Sequence, residues 1–89
     1  MLTVSGELDM ATAPQFSETL SWLLGQNHHQ VTVDLGRVSF VDSSGLAIFI
    51  RAHHEMTEMG GRLVLSNPSK PVRRLLDVTG LGNELTIQS

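Results

Sequence analysis

Apolar residues recur along this chain with two different periods, and the switches between them lay out its elements. Leu2, Val4 and Leu8, interrupted by Gly6, predict a first strand from about Leu2 to Gly6. Phe16, Leu20, Leu23 and Leu24 then fall at i, i+4, i+7 and i+8, which is one apolar face of a helix. Thr12 stands at its start as a capping residue, Pro14 is tolerated in the first turn, and Gln15 completes a capping box. Gly25 and Asn27 stop that helix.

The next stretch, VTVDLGRVSFVDSSGLAIFI, organises the rest. Val31, Val33 and Leu35 read as a buried strand leaving toward a turn at Gly36, and Val38, Phe40 and Val41 carry the chain back across the apolar interior. Asp42-Ser43-Ser44-Gly45 opens a second helix that ends at Gly60-Gly61. From Leu46 to Ile50 this helix is apolar nearly all round, so it needs cover on more than one side, by the core or by a partner. Leu63, Val64 and Leu65 form a short strand and Asn67-Pro68 turns the chain. Ser69 caps a third helix with Val72, Leu75 and Leu76 inward and Arg73, Arg74 and Asp77 outward, ended by Gly80. Leu85 and Ile87 alternate with Glu84, Thr86 and Gln88 as a final edge strand.

The order is β-α-β-α-β-α-β with short connections, which gives an α/β fold: a small, mostly parallel sheet packed with helices through right-handed crossovers. Functional residues of such sheets gather where strands end and helices begin. Asp9 to Thr12, Asp42 to Gly45 and Asn67 to Ser69 are therefore expected at one common end.

Composition narrows the classes. The 89 residues make one domain with a small core at 40% hydrophobic. The absence of cysteine rules out disulfides and thiolate metal sites and fits an intracellular home, which we expect to be the cytoplasm. No apolar run approaches the roughly 20 residues of a membrane span. Six Lys/Arg against nine Asp/Glu, a net charge of -3, and 4% aromatic residues argue against a nucleic-acid binder.

Candidate chemistry centres on Ser43 and Ser44. Hydroxyls at a helix start lie where unpaired N–H groups favour an anion, although serines there also serve as plain caps. A nucleophile elbow requires G-x-S-x-G, and Asp42 occupies the first glycine position relative to Ser44. No histidine is placed to complete a triad: His28-His29 follow the first helix at the opposite end, and His53-His54 lie over two turns into the second. Adjacent histidines on a helix point about 100° apart, so no metal site is expected, and both pairs read as solvated surface. Gly60-Gly61 and Gly80–Gly82 lack a phosphate-loop pattern and act as helix stops. Lys70, Arg73 and Arg74 read as the wet side of the third helix. Trp22, one residue off the inward face of the first helix, sits at the core margin or anchors a partner.

GELDMATAPQF, VDLGRVSFVDSSGLAIFI and the Gly-Gly before RLVLSNPSKPVRRLLDVTGL resemble, in register over nearly the whole chain, the STAS domain of bacterial anti-sigma-factor antagonists. The resemblance implies a non-enzymatic module without a cofactor. Its unphosphorylated form binds an anti-sigma factor that is itself a serine kinase, freeing a sigma factor; phosphorylation ends the interaction and a phosphatase restores it. It makes Ser44, the second serine, the phosphoacceptor, and places the partner on Asp9, Thr12, Asp42, Ser43, Gly45 and Leu46. Family members usually carry another strand before G-E-L-D and often a last helix, whereas about five residues precede Gly6 and the sequence stops at Ser89. An edge left open at Leu2 to Gly6 leads us to expect a homodimer through the N-terminal strand. Two alternatives accompany this reading: a STAS subunit of a transporter complex that binds an ATPase, and a small nucleotide-binding or hydrolytic protein.

Overall fold

In the computed structural model of the chain, residues 2–26 and 29–88 are described. Four strands and three helices alternate: β1 (Leu2–Leu8), α1 (Ala13–Leu24), β2 (Gln30–Val41), α2 (Ser43–Glu58), β3 (Arg62–Ser66), α3 (Lys70–Thr79) and β4 (Thr86–Gln88), with a turn of 3-10 helix at Leu81–Asn83 before β4. The strands form one parallel sheet in the order β1-β2-β3-β4. Short parallel strands pair side by side only through crossovers, and each helix supplies one.

The core forms where the apolar periods meet. Val31, Val33 and Leu35 of β2 and Leu63 and Leu65 of β3 are buried against Phe16 and Leu20 of α1, Ile48, Phe49 and Met56 of α2, and Val72 and Leu76 of α3. Phe16 and Phe49 meet edge to face with ring centroids 5.2 Å apart, fixing α1 against α2. The apolar girth of α2 is largely satisfied from within: Leu46, Ile48 and Phe49 are buried, Ile50 is half-buried, and only Ala47 in that run is exposed.

Two strand readings change. β1 continues through Gly6, which takes φ +86, to Leu8. No turn occurs at Gly36, because β2 runs unbroken from Gln30 to Val41. Leu35, Val38 and Val41 are all buried at a spacing of three, which a regular strand of period two does not allow. Irregularities in the pairing with β1 supply the extra residues: Thr3 faces Asp34 while Ser5 faces Arg37, and Gly6 faces Val38 while Glu7 faces Phe40. The Asp34 carboxylate accepts the Gly36 N–H at 2.9 Å at the first of these bulges. The second irregularity, between Val38 and Phe40, turns Phe40 outward, so it does not cross the interior as its apolar neighbours suggested.

The helix starts also differ in detail. Thr12 and Ser69 occupy the capping positions of α1 and α3, yet neither hydroxyl makes a cap bond, and the Thr12–Gln15 box is not closed. The Ser69 N–H instead donates to Leu35 O at 3.2 Å, while its buried Oγ has no hydrogen-bond partner. The Asn67–Ser69 loop consequently meets β2 at Leu35, where β3 ends, and not at the Val41–Asp42 junction. At the far end of α3, Gly80 takes the left-handed conformation at φ 73 and stops the helix as expected.

Candidate functional site

The site is built by the last residue pair of β1 and β2. Leu8 faces Val41, and the Asp42 N–H donates to Leu8 O at 3.1 Å, holding the chain in extended geometry one residue beyond the strand. Asp42 then begins α2. Its carbonyl accepts the first helical bond, from Leu46 N at 3.1 Å, and its Oδ1 accepts from Ser44 N at 2.9 Å and Gly45 N at 3.3 Å. Asp42 is the cap, satisfying two of the N–H groups that a helix start leaves without partners. Both serines lie inside the first turn and neither acts as the cap.

This division of labour separates the two hydroxyls from the fold. Among the described residues no hydrogen bond reaches the side chain of Ser43 or Ser44. Ser43 is exposed, whereas Ser44 is half-buried. Gly45 and Leu46 are buried, which corrects their expected place on a partner surface: Gly45 lies against Leu8, and Leu46 belongs to the core. Asp42, one of the residues on which the resemblance places the partner, is half-buried and engaged by its bonds to the α2 backbone.

The β1–α1 loop stands beside this turn. Asp9 Oδ1 accepts from Ala11 N at 2.9 Å and Thr12 N at 3.1 Å. The Thr12 hydroxyl donates to Glu7 O at 2.8 Å and accepts from Asp9 N at 3.0 Å. Asp9 and Thr12 thus hold the loop closed while leaving Thr12 exposed and Asp9 half-buried. Met10, at 77% exposure, projects from the same loop. Sequence reading passed over Met10, although a lone large apolar residue among polar loop residues is a signal of the right kind.

On the other side of Val41 lies an open apolar groove of about 490 Å³, lined by Phe40, Val41, Lys70, Pro71, Arg74, Leu75 and Val78. Phe40 and Val78 are 49% and 79% exposed. Lys70 and Arg74 therefore border an apolar surface, where the sequence suggested only a wet helix face. Trp22 is 65% exposed on α1 and stands outside the core margin.

The histidines stay away from the serines. His29 lies at the entry to β2, its carbonyl accepting from Arg62 N at 2.9 Å, and His28 falls outside the described residues. His53 follows Ser44 by nine positions, about 13 Å along the helix axis. It is half-buried with Nδ1 unpartnered, which corrects its reading as a solvated side chain, while His54 is exposed. No group of three or more His, Asp or Glu side chains among the described residues could hold a metal ion. No described helix is long and apolar enough to cross a membrane.

A small parallel α/β domain, with an acidic cap and two free hydroxyls where its second strand passes into its second helix, is the class that fold and site define. The STAS domain family model matches residues 1–89, and the chain belongs to that family. It is 36% identical over 78 residues to an anti-sigma-B factor antagonist of Staphylococcus epidermidis, covering 88% of this chain and 72% of the relative. To the anti-sigma-B factor antagonist of Bacillus subtilis it is 34% identical over 88 residues, covering 99% and 80%. Among solved structures, the anti-sigma factor antagonist SpoIIAA in its unphosphorylated form superposes with a TM-score of 0.80 at 30% identity, covering 98% of this chain and 76% of that one. An anti-sigma factor antagonist from Mycobacterium paratuberculosis gives a TM-score of 0.87 at 27% identity, covering 97% and 73%.

Proposed function

We propose that this chain is an anti-sigma-factor antagonist: it binds an anti-sigma factor with serine kinase activity in the cytoplasm, and phosphorylation at the start of α2 releases it. One observation carries the reading beyond the relatives' names. Asp42 takes the Ser44 and Gly45 N–H groups, so the cap needs neither serine, and the Ser43 hydroxyl is left exposed and without a partner. Its exposure favours Ser43 as the acceptor over the half-buried Ser44, to which the family resemblance pointed. A kinase must bring the acceptor oxygen in line with the γ-phosphorus of ATP, and an outward hydroxyl at the first helical position meets that demand without opening the helix.

A phosphate there adds about -1.5 to -2 charge. At a helix N-terminus such a charge is stabilised by roughly 0.3–1 kcal/mol, so the domain stays folded. Release comes from the partner side. Enclosing an unpaired dianion in an interface costs on the order of several kcal/mol, and about 2.8 kcal/mol already weakens binding a hundredfold. The carboxylates of Asp42 and Asp9 add repulsion toward any acidic contact on the partner. A phosphatase that returns the free hydroxyl resets the switch. Self-association through the outer edge of β1 belongs to the same proposal, since no described strand pairs there.

The test is binding of the purified chain to its cognate kinase. Wild type and Ser43→Ala are expected to bind alike, with ATP releasing only wild type, and Ser43→Asp to bind at least tenfold more weakly. Equal binding by all three, unaffected by ATP, removes the proposal.

A further inference from the structure

The groove beside Val41 combines features that the phosphorylation switch does not require. Its lining is apolar apart from Lys70 and Arg74, and it contains no carboxylate. Three of the six Lys/Arg residues in a chain of net charge -3 fall between Lys70 and Arg74. Positive charge is therefore concentrated on the first turns of α3, against the overall sign of the molecule. Val78 at 79% exposure and Phe40 at 49% are large apolar side chains that the fold leaves wet on this surface. The groove is also continuous with the switch, because Val41 lines it and the next residue is the capping Asp42.

We infer that this groove docks an acidic, apolar segment of the same protein partner that engages Ser43. Large aliphatic or aromatic side chains of that segment lie against Phe40, Pro71, Leu75 and Val78, and its flanking carboxylates face Lys70 and Arg74. The inference rests on the proposed kinase partner and adds a second contact to it. Apolar burial supplies affinity in such a surface, while the paired charges select the partner and set its approach. Docking beside the acceptor also holds the Ser43 turn at the kinase for transfer, so loss of the groove contact weakens both binding and the rate of phosphorylation at low concentration.

The experiment titrates the cognate kinase with the unphosphorylated chain and four variants: Ser43→Asp, Lys70→Glu/Arg74→Glu, Val78→Asp and Val78→Lys. Circular dichroism melting verifies folding, which these exposed substitutions are expected to preserve. The double reversal and Val78→Asp are each expected to weaken binding at least tenfold. Val78→Lys removes the same apolar contact but adds the favourable sign, and is expected to lose less than Val78→Asp. Added salt is expected to weaken binding by wild type and to restore part of the affinity lost by the double reversal, as screening acts on attraction and repulsion alike. If wild type does not bind the kinase, the functional reading falls and the groove contact with it. If wild type binds, Ser43→Asp binds weakly and the groove variants stay within twofold of wild type, the groove inference alone is overturned. Equal losses in Val78→Asp and Val78→Lys overturn the acidic character of the segment. Sedimentation with phosphatidylserine vesicles, lost in the double reversal while kinase binding is kept, would assign the groove to a lipid surface instead.

Discussion

A Cβ placed on Gly45 would lie 2.8 Å from the Cβ of Leu8 and 2.8 Å from its carbonyl oxygen, so the first turn of α2 rests directly on the end of β1. That carbonyl is the one that accepts the Asp42 N–H. The glycine of D-S-S-G thus serves close packing, and it is what lets the cap and both serines sit at the sheet end.

Gly45→Ala is accordingly expected to destabilise the domain. A helical alanine gains about 1 kcal/mol in propensity over glycine. Here the methyl group meets a backbone carbonyl tied into a hydrogen bond, and overpacking of this kind costs about 1–3 kcal/mol. A net loss of about 1 kcal/mol lowers the melting temperature of a domain this size by roughly 4–8 °C. An unchanged or raised Tm would show that the β1–α2 contact yields easily.

Asp42→Ala removes the cap and is expected to cost about 0.5–2 kcal/mol, whereas Asp42→Asn keeps an accepting oxygen and costs less. Urea unfolding distinguishes the two. If both substitutions leave the midpoint unmoved, the bonds to Ser44 N and Gly45 N contribute nothing to stability.

Phe49 is fully buried and meets Phe16 edge to face. Phe49→Ala is expected to cost about 3–5 kcal/mol through lost burial and the cavity left behind. Small domains have about 5–15 kcal/mol in all, so this variant is expected to be the least stable single substitution considered. A loss under about 1 kcal/mol in urea would move the centre of the core elsewhere.

The β1 edge predicts self-association. Thr3 is exposed on that strand, whereas Leu2 and Val4 pack partly against the core, so Thr3→Lys charges the edge without disturbing the interior. Sedimentation at micromolar concentration is expected to give a dimer for wild type and a monomer for Thr3→Lys. A wild-type monomer throughout the range refutes edge pairing.

Most of the architecture was legible because it depends on local period. The i, i+4, i+8 face of Phe16, Leu20 and Leu24, the apolar run of β3 and the stop at Gly80 are each written in a few neighbouring residues. β2 was harder. A turn and a bulge both break the alternation at Gly36, and the choice between them is made by pairing with β1, some thirty positions away. The outward turn of Phe40 follows from that same pairing. At the site, Asp42, Ser43 and Ser44 are all able to cap a helix. Which one does is decided by where Leu8 O takes the Asp42 N–H, and only the folded sheet sets that point. The groove joins Phe40 to residues of α3 some thirty positions later and has no local signature.

Tandem mass spectrometry of the chain after incubation with its cognate kinase and ATP tests the switch most directly. One phosphate is expected, on Ser43, absent from Ser43→Ala and retained by Ser44→Ala. A phosphate on Ser44 that survives Ser43→Ala would contradict the assignment of the acceptor, and a chain left unmodified by a kinase that binds it would contradict the switch itself.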